Sequence, residues 1–254
     1  MDLLSVAIEA AKKGGAVVSD YFETAIEREV KADKSFVTAA DKGSETAILR
    51  EIKKHFPDHG ILSEESEEEK SSSPFQWVID PLDGTANFLN GIPMFAVSVA
   101  VLKEGAPIAG VVYHPVGGSV YAAEKGKGMF WKGTPACVSS DGPEHAMISF
   151  GPGKREKEHL NKMLYKAEGF VKSKRYLGCT ALELAFVARG GTEGFICIGL
   201  NKWDYAAGVL LVTEGGGKIT DFAGKPWTFG SGDYFIASNG KIHGELLKLA
   251  AASA

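Results

Sequence analysis

Two aspartates, a glycine and a threonine follow a run of apolar residues in Trp77-Val78-Ile79-Asp80-Pro81-Leu82-Asp83-Gly84-Thr85, a grouping suited to binding a metal and a phosphate. Trp77, Val78 and Ile79 read as a buried strand. Pro81 has no amide hydrogen and a fixed φ, so the strand is expected to stop at Asp80. Two carboxylates then emerge together at a strand end. Hard divalent cations such as Mg2+ prefer carboxylates, carbonyls and water, which Asp80, Asp83 and the intervening Leu82 carbonyl supply. Gly84 lets backbone approach a phosphate closely, and a helix starting after it would add free N–H groups as an anion site. Asp-Pro-x-Asp-Gly is also ordinary turn chemistry, so other residues must decide between the two readings. Upstream, Leu62-Ser63-Glu64-Glu65 follows a short apolar stretch. Downstream, Asn201-Lys202-Trp203-Asp204-Tyr205-Ala206-Ala207 places one acid at the head of an apolar helix. Three separate segments each offer a carboxylate.

In these segments the chain resembles the inositol monophosphatase family of metal-dependent phosphate monoester hydrolases, over nearly its whole length. The family pattern of a Glu-Glu pair, Asp-Pro-(Ile/Leu)-Asp-Gly-Thr and Trp-Asp-x-Ala-Ala stands here as Glu64-Glu65, Asp80 to Thr85, and Trp203 to Ala207, in that order. Val37-Thr38-Ala39-Ala40-Asp41 resembles the family's Val-Thr-x-x-Asp element, and Lys125-Gly126-Lys127-Gly128-Met129-Phe130 its glycine-rich hairpin. The resemblance implies an α+β fold, a layered α-β-α-β-α sandwich, and hydrolysis assisted by two or three Mg2+ per subunit. By the same resemblance Glu64, Asp80 and the Leu82 carbonyl bind a first metal, Asp80, Asp83 and Asp204 a second, and Glu64 helps hold a third. Thr85 would orient the attacking water with Glu64 or Asp41 in support, so no protein nucleophile is needed. Helix capping is the other role open to Asp41. The Gly84 and Thr85 amides would hold the phosphate, and Lys31 lies on what resembles a mobile metal-covering loop. A homodimer and lithium inhibition are further family expectations.

The substrate-binding set implied is Asp83, Gly84, Thr85, Gly178, Cys179, Thr180 and Asp204, with the alcohol read by residues 176–181 and the stretch leading to Asp204. Here the chain departs from its relatives. Inositol-hydrolysing members commonly carry a Glu seven residues before the Trp-Asp aspartate, where this chain has Cys197, and a thiol is a poor hydroxyl acceptor. Thr180 stands where many members have Ala. Inositol 1-phosphate, fructose-1,6-bisphosphate and histidinol phosphate all remain open as substrates. Adenosine 3',5'-bisphosphate is the weakest option, since no basic or aromatic motif suggests a base pocket. A sugar bisphosphate needs an extra cation, for which Lys172, Lys174, Arg175 and Lys202 are available. A reading from another class is a weakly catalytic metal-binding regulator that contacts a protein partner.

Composition sets the wider bounds. The 254 residues, 44% of them hydrophobic, can bury a substantial core. A net charge of -4 argues against a nucleic-acid surface, which leaves a small phosphate ester as the partner. Cys137, Cys179 and Cys197 are odd in number and far apart, indicating neither a disulfide framework nor a zinc site and pointing to a reducing cytoplasm. The N-terminus lacks the basic start and apolar core of a signal peptide, and no segment approaches the roughly 20 apolar residues of a membrane span.

Helical spacing of Leu3, Leu4, Ala7, Ala10, Ala11, Val17, Val18, Tyr21 and Phe22 predicts an amphipathic first helix that tolerates Gly14 and Gly15. A second helix is expected over about 41–56 with Thr38 as cap. The acidic run 64–70 reads as a solvated loop. Strands are expected over 95–102, 107–114, 119–124 and 128–131, forming an antiparallel sheet. From about residue 142 strands (146–150, 170–176, 194–198, 218–222, 234–238) alternate with helices (156–167, 180–188, 204–214, 241–251). Residues 1–141 and 142–254 are therefore read as an α+β half and an α/β half of one compact unit, with the site at their junction. His55 and His59 have i,i+4 spacing, but Pro57 interrupts it and no zinc motif forms.

Overall fold

A computed structural model describes residues 1–24, 27–30, 36–153 and 156–253. The chain begins with α1 (Leu3–Tyr21), a β1 (Arg28–Val30) and β2 (Phe36–Thr38) hairpin, and α2 (Ala39–His55). Seven strands follow in one sheet: β3 (Gly60–Ser63), β4 (Phe75–Asp83), β5 (Ala96–Lys103), β6 (Ala106–His114), β7 (Ser119–Glu124), β8 (Met129–Trp131) and β9 (Thr134–Ala136), with the short helix α3 (Thr85–Leu89) between β4 and β5. They lie in sequence order, antiparallel except for β3 beside β4. Beyond them come β10 (Met147–Pro152), α4 (Lys157–Lys166), β11 (Ser173–Arg175), α5 (Thr180–Ala188), β12 (Gly194–Ile198), α6 (Lys202–Glu214), β13 (Lys218–Thr220), β14 (Tyr234–Ser238) and α7 (His243–Ser253). Their strands form a mixed five-stranded sheet of order β11-β10-β12-β14-β13.

Alternation along the strands assigns the layers, since successive side chains point to opposite faces. Trp77, Ile79, Val97, Val99 and Val101 pack with Val6, Ala10, Ile48 and Ile52 of α1 and α2. Val78, Ala96, Ala100 and Val112 face the other way, onto α5 and α6, which also receive Phe195, Cys197, Phe235 and Ala237 from β12 and β14. Ile148, Phe150, Ile196 and Ile236 close on Leu160, Met163, Leu246 and Leu249 of α4 and α7. The result is the α-β-α-β-α sandwich expected. A helix buried all round belongs in a middle layer, and α6 is buried continuously from Tyr205 to Val212.

Several expectations need correction. β4 does not stop at Asp80: Asp80 pairs with Ser98 and Asp83 with Ala96, so Pro81 and Leu82 oppose Val97 alone. A β-bulge absorbs the residue that cannot donate, and the strand continues past it. α2 starts two residues before the expected 41, because Thr38 is its cap and a cap precedes the helix. Gly14 and Gly15 are required rather than tolerated: a Cβ on Gly14 would meet Ile48 and Ser44 at 2.7 Å, and one on Gly15 would enter the Tyr113 ring. The acidic run is exposed from Ser66 to Lys70, yet Glu69 exchanges two 2.9 Å backbone hydrogen bonds with Ile61 and pairs with Lys53.

Candidate functional site

The bulge in β4 aims the first carboxylate. Asp80 shares a strand face with Val78, so it points toward the α5 and α6 layer, and its Oδ1 accepts the Leu82 N–H at 3.0 Å. Ser44 on α2 donates to the Pro81 carbonyl at 2.8 Å, pinning the bulge from behind. Gly84 then turns with φ +89, where a Cβ would lie 2.7 Å from the Met94 carbonyl oxygen. Only glycine meets both conditions without strain. α3 starts at the next residue, and the Thr85 hydroxyl lies 3.0 Å from the Leu82 carbonyl and 3.3 Å from Asp41 Oδ1.

Asp41 caps α2 and also reaches Thr85. Its Oδ2 accepts the Thr38 N–H at 2.8 Å and the Thr38 hydroxyl at 2.6 Å, completing a capping box on α2, while Oδ1 faces Thr85. Glu64 follows β3 immediately and donates its backbone N–H to the Ile79 carbonyl at 3.2 Å. Asp204 stands in the first turn of α6 and accepts the Asn201 N–H at 2.8 Å, a second capping box. Asp83 is reached from across the sandwich: its Oδ2 accepts the Ala181 N–H at 2.6 Å and faces Cys179 Sγ at 3.4 Å. Cys179 is therefore buried against a carboxylate, with none of its surface exposed. Gly178 precedes it with φ +72, and Thr180 opens α5 with its side chain buried. Cys197 is wholly buried and donates to the Asp233 carbonyl at 3.1 Å, so it offers nothing to a bound alcohol. Among the basic candidates, Lys174 is already engaged by the Leu164 carbonyl and Glu168. Lys31 lies outside the described residues.

Burial and mutual repulsion set the electrostatics of the two aspartates in the bulge. Burial pushes the Asp80 carboxyl well above the carboxylate range, and the charges of Glu64, Asp83 and Asp204 push it further. Asp83 is pushed up to about 7, chiefly by burial and against the pull of its Ala181 and Cys179 hydrogen bonds. Burial also raises Asp41, opposed by its bonds to Thr38. No ion pair between described residues involves Asp80 or Asp83. As the side chains stand, no three His, Cys, Asp or Glu groups among the described residues close into a coordination shell. The donor set nevertheless fits hard divalent cations, being made of carboxylates and a backbone carbonyl. Ser98 points the same way. It sits directly opposite Asp80, 1% exposed, and its hydroxyl has no hydrogen-bond partner among the described residues.

Two residues of this site escaped the sequence reading. Asn87 on α3 donates to the Met94 and Leu177 carbonyls, each at 2.8 Å, and Glu183 on α5 accepts the Leu177 N–H at 2.9 Å. Glu183 carried a legible signal, as the one charge in the otherwise apolar α5. Asn87 carried none beyond its place two residues after Thr85.

Comparison with known proteins identifies the family. The model of the inositol monophosphatase family matches residues 1–254. The chain is 39% identical over 236 residues to the Nus factor SuhB of Escherichia coli K12, covering 87% of this chain and 86% of that protein. It is 35% identical over 250 residues to the fructose-1,6-bisphosphatase/inositol-1-monophosphatase of Thermotoga maritima, covering 98% and 96%. The solved structure of a Thermotoga maritima IMPase superposes with a TM-score of 0.93 at 34% identity, covering 100% of this chain and 98% of that one. With the carboxylates, the bulged turn and the five layers in the same chain, this protein belongs to the inositol monophosphatase family.

Proposed function

We propose that this protein hydrolyses a small phosphate monoester, an inositol 1-phosphate-like or sugar phosphate, to an alcohol and inorganic phosphate with Mg2+. The observation that carries the reading is the β4 bulge, which buries Asp80 and Asp83 three residues apart just before Gly84 and Thr85, with the charges of Glu64 and Asp204 felt at Asp80. Mg2+ would be held by Glu64, Asp80, the Leu82 carbonyl, Asp83 and Asp204. When bound, it supplies charge neutralisation of the phosphoryl oxygens and a lowered pKa for the attacking water. The chain's own groups do the orienting. Thr85 Oγ1, with its proton directed at Leu82 or Asp41, keeps a lone pair to accept from that water. The Gly84 and Thr85 amides hold the phosphate, and the loop ending at Cys179 and Thr180 reads the alcohol through its exposed Gly178 backbone.

Buried and bonded Cys197 leaves polyol hydroxyls without a carboxylate at that position, so preference within the class rests on the 176–181 loop. Fructose-1,6-bisphosphatase activity is the alternative that the Thermotoga maritima relative's name favours. Exposed Arg175 and Lys202 would take its second phosphate. Histidinol phosphate stays within the same chemistry. We read the protein as a cytoplasmic homodimer acting on a small molecule rather than on nucleic acid. Among the described residues, no helix is long and apolar enough to cross a membrane. The Escherichia coli relative is named a Nus factor, which favours a second reading as a regulator that contacts a partner.

The test is inorganic phosphate release with Mg2+ or chelator across inositol 1-phosphate, fructose-1,6-bisphosphate, histidinol phosphate and glycerol 2-phosphate. Cation-dependent turnover lost in Asp83→Asn supports the enzyme. No turnover on any ester refutes it and leaves the regulator.

A further inference from the structure

The Leu177 peptide is held on both sides by side chains rather than by a strand ladder. Its N–H donates to Glu183 Oε1 at 2.9 Å and its carbonyl accepts from Asn87 Nδ2 at 2.8 Å. The same Nδ2 donates to the Met94 carbonyl at 2.8 Å, with the Gly178 carbonyl at 3.4 Å. A side-chain amide has two hydrogens, and the two short bonds use both. One side chain thus ties α3, the approach to β5 and the loop before α5. The far end of that loop is tied as well, through Ala181 and Cys179 to Asp83. Gly178 turns the loop with φ +72, a backbone that favours glycine. Glu183 is 1% exposed, and its Oε2 has no hydrogen-bond partner among the described residues, so its one polar contact is the loop.

We propose that Asn87 and Glu183 are positioning residues that set alcohol specificity, by latching the 177–180 loop onto the turn bearing Asp83 and Thr85. The proposal rests on the phosphomonoesterase reading above. The turn, which would hold the phosphate, has its own supports in Ser44, the Leu82 N–H and Asp41. The loop, which would read the alcohol, takes its place relative to the turn from Asn87 and from Asp83 itself. Cutting the Asn87 tie should therefore loosen recognition of the alcohol and leave the phosphate half in place. Glu183 supports the same peptide from the other side. Neither side chain needs to touch substrate.

The experiment pairs kinetics on inositol 1-phosphate and p-nitrophenyl phosphate with backbone hydrogen exchange, comparing wild type with Asn87→Ala. Loss of two neutral hydrogen bonds should raise KM for inositol 1-phosphate about tenfold and speed exchange in residues 176–182 about tenfold. kcat on p-nitrophenyl phosphate, whose alcohol has no polyol to read, should change less than about twofold, and exchange in β4 should stay slow. Glu183→Gln, which keeps an acceptor for Leu177, should preserve loop protection that Glu183→Ala loses. Equal losses on both esters, or unchanged exchange in the loop, would overturn the latch. A wild-type protein inert on both esters refutes the phosphatase reading instead. Calorimetric binding of inositol 1-phosphate then replaces KM, and unchanged affinity in Asn87→Ala overturns the latch.

Discussion

Removing the charge of Asp83 should stabilise the cation-free protein, most of all at alkaline pH. Burial lifts this carboxyl from an ordinary 3.8 to about 7. Below pH 4 it is protonated in both the folded and unfolded chain, so its effect on stability is absent. Between the two values the unfolded chain ionises while the folded one resists, and stability falls as pH rises; above 7 the deficit is constant. At 1.36 kcal/mol per pH unit the deficit is about 4 kcal/mol. His243 acts in the opposite direction over part of the same window. Buried between Thr220 and Ser238, with ring nitrogens 2.8 Å from each hydroxyl, it is held down to about 4 by burial and by Lys218. Its contribution is present above about 6.5 and is lost as pH falls toward 4. The informative quantity is therefore the difference between wild type and Asp83→Asn, in which His243 cancels. Asparagine keeps the shape and an oxygen for the Ala181 N–H. Thermal denaturation in chelator should show Asp83→Asn melting about 10 °C above wild type at pH 8.5, with the advantage shrinking toward pH 4.5. Added Mg2+ should raise the wild type more than the variant, which keeps Glu64, Asp80 and the Leu82 carbonyl but loses one ligand of the second metal. A difference in Tm that is the same at both pH values would refute the argument, because it would show that the ionised carboxylate is not what the fold opposes.

Gly84→Ala should lower stability by about 1–2 kcal/mol for the left-handed backbone alone, with more from the Met94 carbonyl at 2.7 Å; urea unfolding measures it, and phosphate release should fall with it. Glu214 accepts the Gly126 and Gly128 N–H groups, both at 2.9 Å, and so clamps the glycine-rich hairpin to the end of α6. Glu214→Ala should cost about 1–3 kcal/mol in urea unfolding and Glu214→Gln less. Gly15→Ala sets propensity against packing: an exposed helix site would gain about 1 kcal/mol, but here the new methyl meets Tyr113. We expect a net loss of about 1–3 kcal/mol by thermal melt, relieved when Tyr113→Leu is added.

The residues legible in advance were those whose role is decided within a few positions of themselves. Thr38 and Asp41 form a capping box because they are three apart at a helix start, and α6 reads as an apolar helix with Asp204 at its head. Pro81 misled for the same local reason. Its missing donor does end a ladder, unless the opposite strand allows a bulge, and that depends on Val97, sixteen residues away. The β1, β2, β3 and β9 strands went unread because each is three or four residues long and owes its form to pairing rather than to pattern. Asn87 shows the limit most clearly. Its amide satisfies carbonyls 7 and 90 residues distant, and nothing local distinguishes it from Asn90, whose side chain merely bonds back to Ala86 in its own turn. Glu183 is the opposite case. A carboxylate amid Leu182, Leu184 and Ala185 is a conflict between residue and environment, and buried acids persist only where something uses them. Here that use is the Leu177 N–H. An acid that stands alone in an apolar helix is therefore a question the sequence already poses, and in this chain its answer lies at the loop beside the carboxylate cluster.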